Sequence, residues 1–155
     1  MRFSVLNCLT DPKAAQVENV ERSEQHIERL KAYIQRDLNA LLNTRRAERD
    51  FDASYVESTN SLLTFGVADF TAYNLTSQVD QERVRQSIER AIRQFEPRLS
   101  QVEVRLEPAD LTTPVLRFHI EGLLRITPDP EAVVFSARFQ RDSRHIVVSG
   151  AASAR

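Results

Sequence analysis

The stretch IRQFEPRLSQVEVRL, residues 92–106, changes period in its middle. Up to Phe95 the apolar residues Val84, Ile88, Ala91, Ile92 and Phe95 recur every three or four positions, the period of a helix face. From Val102 the chain alternates, with Val102, Val104 and Leu106 on one side, the period of a strand. Pro97 between them cannot continue a helix and biases Glu96 toward extended geometry. The stretch therefore predicts a helix, a stiff corner and a strand. It also divides the chain, with helical patterns before it and strand patterns after it.

Upstream, the second helix is expected from Asp80 to Phe95, with Ser77 or Asp80 as cap. An earlier helix is expected over 20–44, where Ile27, Leu30, Ile34, Leu38, Leu41 and Leu42 form an apolar stripe. RRAERDFD, residues 45–52, reads as a solvated connection. ESTNSLLTFG, 57–66, reads as a short helix capped by Ser58 or Thr59 and ended by Gly66. VADFTAYNLTSQ, 67–78, reads as a loop anchored by aromatics. Downstream, alternation places Leu116, Phe118, Ile120, Leu124 and Ile126 together, then Val133, Phe135, Ala137 and Phe139. Gly122 interrupts the first of these faces and marks a bulge or a close backbone approach. A last short strand covers Ile146 to Val148. Helices followed by consecutive strands predict an α+β domain, its largely antiparallel sheet covered on one face by helices. The expected organisation is an N-terminal docking segment over 1–20, one domain over 21–149 and a flexible tail over 150–155.

Composition narrows the function classes. The 155 residues carry a formal net charge of −1, so no global field favours nucleic acid or anionic lipid. No apolar run reaches the roughly 18–20 residues of a membrane span, and the first residues lack the pattern of a secretory signal. Cys8 is the only cysteine, which excludes an internal disulfide and suits a reducing compartment. His26, His119 and His145 stand at no metal-ligand spacing, so neither a metal nor a cofactor is expected. His119 reads as a strand residue facing solvent. Only Lys13 and Lys31 are lysines among 21 basic residues; the arginines favour planar, bidentate contacts of the kind found at interfaces.

Catalytic motifs are missing from the sequence. Three glycines, Gly66, Gly122 and Gly150, cannot build a glycine-rich phosphate loop, and no nucleophile elbow is present. One enzymatic arrangement is conceivable, a glycosidase carboxylate pair of Glu96 and Asp69 near aromatic residues. Arg98, two residues from Glu96, opposes it by favouring the ionised carboxylate over a general acid.

Three motifs in order, LLNTRR (41–46), SLLTFGVADF (61–70) and AIRQFEPRLSQVEV (91–104), resemble TssE, the small baseplate subunit of bacterial type VI secretion. The phage relatives of that family are contractile-tail baseplate wedge subunits, historically labelled lysozyme-like. SVLNCLTD (4–11) is similar to the family's leader, and the most specific element is the triplet Glu96, Pro97 and Arg98. Relatives commonly show Tyr-Gly-Leu-Pro-Asp-Phe where this chain has Phe65, Gly66, Val67, Ala68, Asp69 and Phe70, a loss of proline that should loosen the turn.

The resemblance implies a cytoplasmic structural subunit, at the inner face of the inner membrane of a Gram-negative bacterium. It would join other wedge subunits around the spike and inner tube and offer sheath subunits their first platform. Lysozyme-like cleavage of peptidoglycan is the alternative. The expected partner-binding residues are Glu96, Pro97, Arg98, Arg45, Arg46 and Asp69. An open, arginine-rich sheet edge would accept a partner's strand. At the corner, Pro97 would aim Glu96 and Arg98 at a partner; the competing expectation is a brace between helix and strand inside the domain.

Overall fold

The computed structural model describes residues 24–46, 61–69, 73–74, 77–107, 115–127, 129–140 and 144–153. Helix α1 spans Glu24–Asn43 and helix α2 spans Gln78–Phe95. Between them the described chain holds one 3-10 turn, Leu62–Thr64. Four strands follow, β1 (Leu99–Leu106), β2 (Val115–Leu124), β3 (Glu131–Gln140) and β4 (His145–Ser153). They form one antiparallel sheet in the order β1-β2-β3-β4. Sequential strands joined in a meander need no crossover, and the α+β class follows from the order of elements. The expected docking segment at 1–20, the helix start at 20–23, most of the 45–52 charge run and the caps Ser58 and Thr59 lie outside the described residues.

The helices lie on one face of the sheet. Leu30, Ile34, Leu38, Leu41 and Leu42 of α1, and Val84, Ile88, Ala91 and Ile92 of α2, are buried against Val102, Val104, Phe118, Ile120, Val133, Phe135, Ile146 and Val148. Each such side chain removed from water contributes about 1.5–3 kcal/mol before entropy is counted. The other face carries Glu103, Arg105, His119 and Glu121. There His119 lies 2.8 Å from Glu107, and Arg105 pairs with Glu103 and Glu121.

Two boundaries differ from the sequence reading. Helix α2 begins at Gln78, two residues early; Ser77 takes the N-cap position without a side-chain hydrogen bond, and Asp80 instead accepts the Asn74 amide at 3.0 Å. Strand β4 does not end at Val148 but runs to Ser153, so the expected tail at 150–155 starts inside a strand. Pairing with β3 holds it, with the register shifting where Gly150 lies opposite the Phe135–Ser136 step. Small residues conceal this extension in the sequence, since SGAAS lacks the alternating bulk of a strand.

Gly122 does mark a bulge, carried by the neighbouring strand. Ser100 pairs with Leu123 and Glu103 with Glu121, so Gln101 and Val102 together oppose Gly122. Gln101 takes a left-handed φ of 51°. A Cβ on Gly122 would sit 3.3 Å from the Ser100 carbonyl oxygen. The extra residue turns Leu99 to the same buried face as Val102 and Val104.

Candidate functional site

The corner between α2 and β1 closes on itself. The Glu96 amide completes the helix by donating to the Ile92 carbonyl at 2.8 Å, and the Leu99 amide returns to the Glu96 carbonyl at 3.2 Å. This tight turn brings the two charged side chains to the same side of exposed Pro97. Arg98 Nε donates to Glu96 Oε1 at 2.6 Å, and Nη2 donates to Glu96 Oε2 and to Asp37 Oδ2, each at 2.5 Å. The Arg98 amide also donates to Glu96 Oε1 at 3.2 Å. Glu96 is 3% exposed and Arg98 9%, so this is a buried charge cluster. Burial works against the Arg98 cation, but Glu96 and Asp37 more than compensate and raise its pKa. Two carboxylates around one guanidinium satisfy Nε and Nη2; Nη1 is buried without a partner among the described residues.

The pair therefore ties α1, the end of α2 and the start of β1, the geometry of a brace. Asp37, from a helix 61 residues earlier, is the participant that sequence reasoning missed. A single exposed-looking aspartate on a polar helix face gives no signal of such a contact.

The other expected residues gather where α1 ends. Thr44 and Arg46 exchange backbone hydrogen bonds with Val67, both at 2.9 Å, which joins the LLNTRR and SLLTFGVADF motifs. Arg45 pairs with Asp69 at 3.0 Å, and both are substantially exposed. Arg46 is exposed and makes no side-chain hydrogen bond or ion pair among the described residues. Gly66 allows the crossing: at φ 112° it approaches Thr44 so closely that a Cβ would stand 2.3 Å from the Thr44 carbonyl oxygen. This backbone pairing fixes the turn that lacks the relatives' proline. Phe65 packs edge-on against Phe95 at 5.2 Å, connecting this turn to the residue before Glu96.

The edges of the sheet are less open than expected. On the β4 edge, Asn43 accepts the Ile146 amide at 2.8 Å and donates to its carbonyl at 2.7 Å. One helical turn earlier, Asn39 accepts the Val148 amide at 2.9 Å and donates to its carbonyl at 3.3 Å, which Gln35 also reaches. A carboxamide carries the same donor and acceptor as a peptide group, so these two asparagines stand in for a fifth strand. On the β1 edge, Arg93 donates to the Val102 carbonyl at 2.8 Å and Glu89 accepts the Val104 amide at 3.4 Å. Glu89 and Arg93 are themselves paired at 2.8 Å. Both edges are thus capped by helix side chains spaced four residues apart.

Among the described residues, no helix is long and apolar enough to cross a membrane. Glu96 and Asp69, the conceivable carboxylate pair, are each engaged by a different arginine. A family model described as Baseplate wedge protein gp25 matches residues 28–129, a span that runs from α1 to the turn before β3. Among curated proteins, none matches the chain.

Proposed function

The chain belongs to the baseplate wedge protein gp25 family, and from that premise we propose that it is a non-enzymatic subunit of a type VI secretion baseplate. Family membership makes it a structural component of a baseplate, in contact with other baseplate components. The finer reading is that it joins wedge subunits near the spike and inner tube at the inner face of the inner membrane, and starts sheath polymerisation there. The observation that carries the non-enzymatic reading is the state of Glu96. Its carboxylate is 3% exposed and held by the Arg98 fork, whereas a general acid must reach substrate and hold a proton.

In this reading Pro97, Arg45, Arg46 and Asp69 form the accessible part of a docking region, with Glu96 and Arg98 shaping it from below. Support comes from the exposure of Pro97, Arg45 and Arg46 and from Nη1 of Arg98, a buried donor with no partner among the described residues. Residues 1–20 add a docking segment. Sheath strands have the distal part of β4 available, since the helix caps act at Ile146 and Val148.

Tagged protein expressed in a cell with a contractile apparatus should recover wedge subunits, and deletion of 1–20 should weaken that recovery. Purified protein should release no soluble fragments from peptidoglycan. Turnover abolished by Glu96→Gln would establish the lysozyme-like alternative instead.

A further inference from the structure

Helix side chains cap the sheet edges at Val102, Val104, Ile146 and Val148, and we propose that a basic groove beside α2 binds an acidic segment of a partner protein. The groove has a volume of about 270 Å³ and lies between the outer face of α2 and the segment that crosses behind it, with Arg46, Arg83, Arg90, Thr64 and Gly66 in its lining. No aspartate or glutamate is among its described lining residues.

Charge bookkeeping along α2 isolates Arg90. Arg83 pairs with Asp80 at 3.3 Å, Arg85 with Glu82 and Glu89, and Arg93 with Glu89. The Arg90 side chain is exposed and has no hydrogen bond or ion pair among the described residues, and the same holds for the side chain of Arg46. Two guanidinium groups without an acidic partner among the described residues therefore share one concavity.

The walls are preformed. The Arg46 backbone is fixed by its bond to Val67, Gly66 is pressed against Thr44, and Gln94 donates to the Thr64 hydroxyl at 3.3 Å. A binder that needs no ordering of the backbone loses less entropy on association. Guanidinium forks match carboxylates in geometry and charge. A polyanion such as nucleic acid needs a long basic track, and the chain's net charge of −1 supplies none. The proposal rests on the baseplate reading and adds to it the chemistry of one partner surface.

The full chain and its Arg46→Gln/Arg90→Gln variant should be titrated against a fluorescent poly-glutamate peptide, with poly-lysine and single-stranded DNA as comparisons. The wild type should bind the poly-glutamate selectively, more weakly as salt rises, and the variant should bind at least about tenfold less tightly. Its unfolding midpoint should match the wild type, because both side chains are exposed; if it falls, Arg90→Gln alone decides the matter. Equal peptide binding by wild type and variant overturns the proposal, as does tighter binding of DNA than of peptide. In cells, the variant should recover fewer wedge subunits than the wild type, and equal recovery again overturns it. If the wild type recovers no baseplate subunits at all, the baseplate reading fails while the titration still judges the groove.

Discussion

Arg98 holds two carboxylates on elements that are far apart in sequence, and its removal should be costly for that reason. Arg98→Ala would leave Glu96 and the half-buried Asp37 facing each other without a cation, a loss typically worth about 3–5 kcal/mol. Arg98→Lys keeps the charge but loses the fork that engages both acids, so it should recover only part of the loss. Replacing all three residues by apolar side chains of similar volume should be milder than Arg98→Ala, because no unpaired charge is left behind. Urea unfolding midpoints for the three proteins give this ranking directly. An Arg98→Ala midpoint equal to wild type would show that the buried cluster contributes nothing to the fold.

At the scale of elements, α1 is fastened to the sheet by Asn39 and Asn43 as well as by its apolar stripe. Asn39→Leu/Asn43→Leu would strip the partners from the amides of Ile146 and Val148 and from the Ile146 carbonyl, leaving the Val148 carbonyl to Gln35, at about 1–3 kcal/mol for each group left buried and unbonded. Amide exchange at Ile146 and Val148 should accelerate. The bared edge should also promote self-association, read by sedimentation, since unpaired strand groups template pairing. Unchanged exchange would mean that the carboxamides do not protect that edge. These asparagines were legible in principle: two of them four apart inside a helix, where asparagine is a poor helix former, need a reason. The helices, the strand faces and the corner follow from periodicity and one proline, because those signals are local. The pairing of Arg98 with Asp37 and the partners of Asn39 and Asn43 do not, since each of those contacts joins residues more than 60 positions apart. The left-handed Gln101 is equally hidden, because only the pairing of β1 with β2 reveals the bulge.

For the molecule as a whole, Lys31 gives the fold an alkaline limit. It is 4% exposed on α1 and bridges to Glu131 at the start of β3, at 2.8 Å, and to Glu28 at 2.9 Å. Burial pulls its pKa down, but the bonds to Glu131 and Glu28 outweigh that, and the folded value lies above the usual 10.5. The charged form is favoured by folding, so its stabilisation is complete below about pH 10.5 and is lost as the pH climbs through the raised folded value. Wild type should therefore lose stability in that window more steeply than Lys31→Met, when unfolding midpoints are compared across pH. Parallel curves would show that the lysine contributes no pH dependence.

The fastening of α1 to β4 also sets an order of synthesis. Asn43 and Asn39 leave the ribosome long before their partners Ile146 and Val148, which lie 103 and 109 residues further along the chain. A nascent chain can wind α1 early, but it cannot finish the helix's attachment until β4 has been made. Contacts of such long range slow folding and tie it to the synthesis of β4. A product truncated after Gln140 would lack β4 altogether. The subunit thus carries its own check: only a chain that includes β4 can present a finished surface to an assembly.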